Sequence, residues 1–139
     1  MNSDFTVAIH ALVCLAHSGK VLSSEDLAGN ICTNPARVRK VTSKLKKAGL
    51  VATKEGSIGG CRFSGAPEKL PLAQVAAAKG VTFVEAAWPS GSQDTDCLIC
   101  TGMAGLMDDL FAELDGLCKA HLSRITIADL ERRLFAAAV

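Results

Sequence analysis

The sequence predicts a mainly α-helical fold with one small β-hairpin, in the order helix, short helix, tight turn, basic helix and hairpin, followed by a long helix near the C-terminus. Three observations carry this reading. Apolar residues recur at intervals of three and four over residues 4–17, 38–48 and 103–118. Two short strand-like runs, 50–53 and 61–63, flank a glycine-bearing turn. Helix stop and start signals, namely Gly19, the pair Asn34-Pro35, Gly49 and Gly80, stand between the periodic segments.

Taken in order, the first helix is expected over residues 4–17, where Phe5, Ile9, Leu12 and Ala16 share one face and Gly19 closes the segment. Ser23, Ser24, Glu25 and Asp26 supply a hydroxyl cap and first-turn acids for a short helix ending near Gly29-Asn30. Pro35 then favours a first helical turn, with Asn34 as its N-cap. This third helix runs to Gly49, with Val38, Val41, Leu45 and Ala48 on one face and six Lys/Arg on the others. After the hairpin, Pro67 and Pro71 bracket a connection to a short helix over residues 72–79. Residues 80–96 contain Gly80, Pro89 and Gly91 and read as mostly irregular. Residues 103, 106, 107, 110, 111, 114, 117 and 118 form one broad stripe on a helix expected over 102–121, and Ile125, Ile127, Leu130 and Leu134 mark a final amphipathic helix.

At 139 residues and 49% apolar content, the chain suits one domain, or a small domain with an appendage. The division expected is a head over residues 1–80 and a linker, cysteine pair and dimerisation helices over 81–139. A mean hydropathy of +0.28 is high for a small monomer and favours a homo-oligomer that covers apolar surface. No apolar run approaches the roughly 20 residues of a membrane span. The start MNSDF lacks the features of a signal peptide, so a cytoplasmic location without a membrane partner is expected. Six cysteines in a reducing compartment suggest free thiols, metal ligands or redox sensors. Residues 1–66 hold nine Lys/Arg against four acids and residues 67–139 six against ten, so a basic head is joined to an acidic body.

This order of elements is that of a winged helix-turn-helix head carrying a long C-terminal dimerisation helix. Its basic third helix, with six Lys/Arg and no acid between residues 35 and 47, suits the major groove, and its hairpin the adjacent backbone. The plain alternatives are a solvated helix face and a winged-helix module that binds protein without DNA. The run GSIGG lacks the GK[ST] ending and the strand-to-helix setting of a phosphate loop. Its glycines fit a hairpin turn.

The run TNPARVRKVTSKLKKAGLVATKEGSIGGCRFSGAPEKLPL, with ITIADL at 125–130, resembles the Rrf-type family of bacterial winged-helix regulators. Relatives there include the iron–sulfur cluster regulator, the cysteine-metabolism repressor and the nitric-oxide-sensitive repressor. The resemblance implies no enzyme but a homodimeric transcription factor, usually a repressor, reading double-stranded DNA at a pseudo-palindromic operator. It implies DNA contacts from Thr33, Asn34, Arg37, Arg39, Lys40 and Lys44, and from Lys54, Ser57 and Arg62 of the wing. It also implies a dimer interface at Met103, Leu106, Leu110, Leu114 and Leu117. Glu55 and Cys61 depart from the family's usual arginine and aromatic.

Cluster-binding relatives carry three cysteines just before the dimer helix. Here Cys97 holds the first position, Cys100 follows two residues on, and the next is Cys118. An iron–sulfur cluster would draw on Cys97, Cys100 and Cys118 plus one further ligand. With His121 the same residues spell a zinc-like C-x2-C-x17-C-x2-H, but a continuous helix would part Cys100 from Cys118 by about 27 Å at 1.5 Å per residue. The remaining readings of Cys97 and Cys100 are sensor thiols near a helix N-terminus, which Asp94 and Asp96 oppose, or a pair with no sensory role. A thiol-disulfide oxidoreductase would need a βαβ context that the flanks lack. On the first helix His10, Cys14 and His17 fall on one stripe, read as the polar margin of a half-buried helix.

Overall fold

The computed structural model describes residues 3–56 and 59–136. Helix α1 (Ser3–Ser18) runs through the centre of the head and buries Val7, Ala8, Ala11, Leu12 and Leu15. Helix α2 (Ser24–Ile31) opens on a capping box. Ser23 Oγ accepts from the Asp26 amide at 3.0 Å, and an Asp26 carboxylate oxygen accepts from the Ser23 amide at 3.1 Å. It ends at Cys32, a non-glycine residue held at φ +64°. Helix α3 (Pro35–Lys47) starts as the sequence predicts, with Asn34 Oδ1 accepting from the Arg37 amide at 2.8 Å and Pro35 in the first turn.

Strands β1 (Val51–Lys54) and β2 (Gly60–Phe63) pair antiparallel, Val51 opposite Phe63 and Lys54 opposite Gly60. Leu22 adds a rung beyond the two strands: its amide and carbonyl both bond Cys61 at 2.9 Å. The chain crosses there so closely that a Cβ on Gly60 would lie 2.2 Å from the Leu22 carbonyl oxygen, which restricts position 60 to glycine. The wing is thereby tied to the loop before α2, and Cys61 is buried in the core.

A 3-10 turn (Pro67–Lys69) leads to α4 (Leu72–Lys79), capped by the left-handed Gly80. Helix α5 (Leu98–Leu122) is followed by α6 (Ile127–Ala136), which folds back on the head. The Leu72 amide bonds Ile125 O at 2.8 Å, the Ile127 amide bonds Leu70 O at 3.0 Å, and Ile127 is fully buried. The core therefore joins residues 122–130 to the first 80, although the two segments lie on opposite sides of the long helix in sequence. Among the described residues no helix is long and apolar enough to cross a membrane.

Two differences from the sequence reading have physical causes. Helix α5 begins at Leu98, four residues before the expected start. An apolar stripe reports packing, and the first turn needs only main-chain bonds such as Thr101 N–H to Cys97 O at 3.0 Å. The irregular 80–96 connection also has an anchor that no local pattern announces. The Asp115 carboxylate accepts from the amides of Phe83 at 2.6 Å and Val84 at 3.1 Å and pairs with Lys119 at 2.8 Å. Lys119 first, then the two amides, hold Asp115 below the usual carboxylate range. Phe83 in turn meets Phe5 of α1 edge-on at 5.1 Å, joining α5 to the head.

Candidate nucleic-acid interface and associated sites

Four buried residues, Val38, Val41, Thr42 and Leu45, fix which way α3 faces. Arg39, Lys40, Ser43, Lys44, Lys46 and Lys47 are consequently all exposed. Arg39 lies 3.7 Å from Glu25, whereas Lys40 and Lys44 make no ion pair among the described residues. Arg37 differs from the others. Its Nε and Nη2 both bond the Asp4 carboxylate, at 3.2 and 3.1 Å, and this bond holds Asp4 below the usual carboxylate range. The predicted DNA contact Arg37 is thus already fastened to α1. Thr33 is half-buried in the turn before α3 and Asn34 is exposed beside it, while Lys54 and Arg62 are exposed on the wing. Ser57 lies outside the described residues.

The broad stripe of α5 resolves into two adjoining faces. Met107 and Phe111 are half-buried and line a depression with Trp88 and the neighbouring connection. Leu106, Leu110, Leu114 and Leu117 turn away and remain 61%, 45%, 40% and 67% exposed, with Met103 half-buried at the head of the row. All five residues predicted for a dimer interface therefore fall on the face that the chain itself does not cover.

Between α1 and α6 runs a largely apolar cleft of about 790 Å³, walled by Phe5, Ile9, Val13, Leu130 and Leu134. The histidine and cysteine stripe of α1 borders it. Asn30 Oδ1 lies 2.7 Å from His10 Nε2 and accepts from Cys14 Sγ at 3.1 Å. His17 sits 2.9 Å from Glu131 and stacks on Phe135 at 4.3 Å. The stripe was legible in the sequence, but the cleft was not, because its other wall is more than a hundred residues away.

Cys97 is the exposed N-cap of α5, and Cys100 occupies the first turn. The preceding loop grips that turn. The Ser92 amide donates to Cys100 O at 3.2 Å, Cys100 Sγ donates to Ser92 O at 3.6 Å, and a Cβ on Gly91 would fall 1.9 Å from the Cys100 carbonyl oxygen. The Cys97 side chain makes no capping hydrogen bond. Cys118 lies near the other end of the same unbroken helix, about 27 Å from Cys100 at 1.5 Å per residue. Within one chain the candidate metal ligands Cys97, Cys100 and Cys118 therefore do not converge. Burial pushes the thiols of Cys14 and Cys61 up, whereas Cys32 is exposed.

A capped basic helix with its charged face turned outward, preceded by a short helix and followed by a two-stranded wing, defines a winged helix-turn-helix transcriptional regulator. The family is specific: the chain belongs to the Rrf2 family, described as iron-dependent transcriptional regulators, whose model matches residues 1–133. The family is one of transcriptional regulators and not of enzymes. The chain is similar to YwnA of Bacillus subtilis (strain 168), named among the HTH-type transcriptional regulators, at 36% identity over 75 residues. That match spans 54% of this chain and only 55% of the relative's length.

Among solved structures, a transcriptional regulator from Lactobacillus plantarum superimposes with a TM-score of 0.82 at 27% identity, over 96% of this chain and 91% of that one. Two further likenesses are of fold alone. IscR of T. potens has a TM-score of 0.72 at 16% identity, over 100% of this chain and 90% of its own. CymR, the global cysteine regulator of B. subtilis, has a TM-score of 0.68 at 16%, over 96% of each chain.

The family's description invites a test against iron. A cluster bound by one chain needs three or four ligands within a few ångströms, and here two thiols stand at one end of α5 and the third at the other. Among the described residues no three His, Cys, Asp or Glu side chains are grouped to hold a metal ion. The residues of one chain do not fit the group.

Proposed function

We propose that the protein is a cytoplasmic homodimeric repressor that places α3 in the major groove of a pseudo-palindromic operator. The exposed basic face of α3, oriented by its four buried residues, is the observation that carries this reading. Lys40 and Lys44 supply the free cations and Arg39 a third beside Glu25, Thr33 and Asn34 meet DNA at the helix start, and Lys54, Ser57 and Arg62 meet it from the wing. Arg37 contributes through its hold on Asp4, which orients α3 against α1. Residues 1–80 form the head, and residues 81–139 dimerise, with α6 docked back onto the head.

Two bare apolar surfaces support the dimer: the leucine row of α5 and the α1–α6 cleft. The acids that flank the row, Asp109 and Glu113, complement the Arg133 that borders the cleft, so a second copy would cover both. The repressor assignment rests on the family resemblance. Transcription that rises on adding the protein to an operator-bearing template would reverse its sign.

Binding to random duplex at a series of salt concentrations tests the DNA reading. A steep slope is expected for the native protein, shallower by about 0.9 in each of Lys40→Ala and Lys44→Ala. A flat response would defeat it and favour a module that binds protein.

For the signal, Cys97 and Cys100 act as a thiol pair. A peroxide or a disulfide takes two electrons and two protons from them as one S–S bond forms. Residues i and i+3 of a helix lie side by side, which sets the two cysteines next to one another. Oxidant is expected to remove two hydrogens from the intact mass and to change operator affinity, with neither effect in Cys97→Ser/Cys100→Ser. Visible absorption bands in anaerobically purified protein that vanish in this variant would replace the thiol reading with a cluster shared between chains.

A further inference from the structure

On the flank of α3 that faces the start of α1, a depression of about 360 Å³ is lined by Lys44 of α3, Lys79 at the last turn of α4, and Thr82 just beyond it. Lys79 Nζ is closed off from solvent and has no hydrogen-bond partner among the described residues. The Asp4 carboxylate lies near enough to act on this ammonium but does not bond it, and a buried ammonium with no hydrogen-bond partner is unfavourable, so the group calls for a ligand. Burial first, then the neighbouring Lys44, hold it below the ordinary lysine range, and an anion would relieve both pressures. Neither Lys44 nor the Thr82 hydroxyl makes a side-chain hydrogen bond or ion pair among the described residues. Three donors are thus left over around one small space.

Two acids also line the depression. Asp4 is already engaged by Arg37, and Glu85 is exposed. With Lys40 also close enough to act on Lys79, the surroundings remain positive.

We propose that this depression is an oxyanion site in which Lys79, Lys44 and Thr82 hold a phosphate group. Two ammoniums and a hydroxyl line one space, and a tetrahedral oxyanion, whose oxygens only accept, takes donors of this kind. Lys44 belongs both to this site and to the basic face of α3. The nearest phosphate is therefore one of the DNA backbone running beside the groove, where it would set the register of α3 without reading sequence. A free phosphate group is the other source of the same chemistry. Only the assignment to the DNA backbone rests on the DNA reading above.

Two measurements on the full chain separate the sources. In the first, the salt slope of random-duplex binding is expected to be about 0.9 shallower in Lys79→Met than in the native protein. Lys69→Met, at an exposed lysine on the turn before α4, should leave the slope unchanged. In the second, inorganic phosphate is titrated into DNA-free protein while the amide resonances of Gly80 and Thr82 are followed. A saturable shift in the native protein, absent from Lys79→Met, assigns the site to a free phosphate group. A shallower slope without that shift assigns it to the DNA backbone. An unchanged slope together with no saturable shift overturns the proposal. If the native protein does not bind duplex at all, the DNA reading fails and the phosphate titration alone decides. Lys79→Met removes a desolvated charge and is expected to melt no lower than the native protein. Should it fail to fold, Thr82→Val carries both readouts.

Discussion

Leu114→Asp is expected to convert the dimer into a monomer and to weaken operator binding by about a hundredfold, the lower end of what a second tethered contact contributes. Leu114 sits in the row with Leu106, Leu110 and Leu117, where a partner can cover the 40–67% of each leucine still exposed and so gain a matching share of the roughly 1.5–3 kcal/mol of full burial. An aspartate there loses that contribution and would bury a charge in a row already flanked by Asp109 and Glu113. Because 40% of Leu114 is open to solvent in the single chain, the monomer itself should fold normally. Sedimentation equilibrium reads the association and circular dichroism the fold. A native protein that sediments as a monomer would end the dimer proposal, and a Leu114→Asp variant that stays dimeric would move the interface away from α5.

The same row shows what the sequence could and could not announce. Elements whose signals are local were legible: the Asn34 cap with Pro35, the glycine-bearing hairpin, and α4 over residues 72–79 all stand where pattern and punctuation put them. The apolar stripe of α5 marked a helix, but it could not separate the residues covered by the chain's own 80–96 connection from those left bare. That distinction depends on Asp115, whose partners Phe83 and Val84 lie some thirty residues earlier. The ion pair of Arg37 was hidden for the same reason: its partner Asp4 is 33 residues away on another helix. Lys79 gave no sign at all, because a lysine ending a short helix is ordinary until Lys44 is folded against it. Long-range pairings set the site's electrostatics, and periodicity carries no information about them.

The cysteines divide along the same line. Position along the chain suggested a sensor at Cys97 and Cys100, whereas the C-x2-C-x17-C-x2-H pattern suggested a metal clip. An unbroken α5 removes the metal clip for a single chain, since it holds Cys97 at the N-cap and Cys118 near the far end, and the sensor remains a proposal. Motif spacing implies proximity only where the chain between the ligands turns back.

Leu45→Ala is expected to lower the stability of the head by about 2–5 kcal/mol, a large share of the roughly 5–15 kcal/mol typical of a folded domain. Leu45 is fully buried beneath α3, and truncation would leave a cavity under the helix that carries the basic face. The instructive control is the same chemical change at Leu106, which is 61% exposed in the single chain. Urea unfolding at two protein concentrations separates the two. Leu45→Ala should lower the midpoint equally at both, because the lost contacts are intramolecular. Leu106→Ala should lower it only at the higher concentration, where dimers contribute to stability by mass action. Equal shifts for Leu106→Ala at both concentrations would place that leucine within its own chain's core and remove it from the interface. An unshifted midpoint for Leu45→Ala would mean that α3 is not anchored by that residue, and the outward orientation of Lys40 and Lys44 would lose its physical basis.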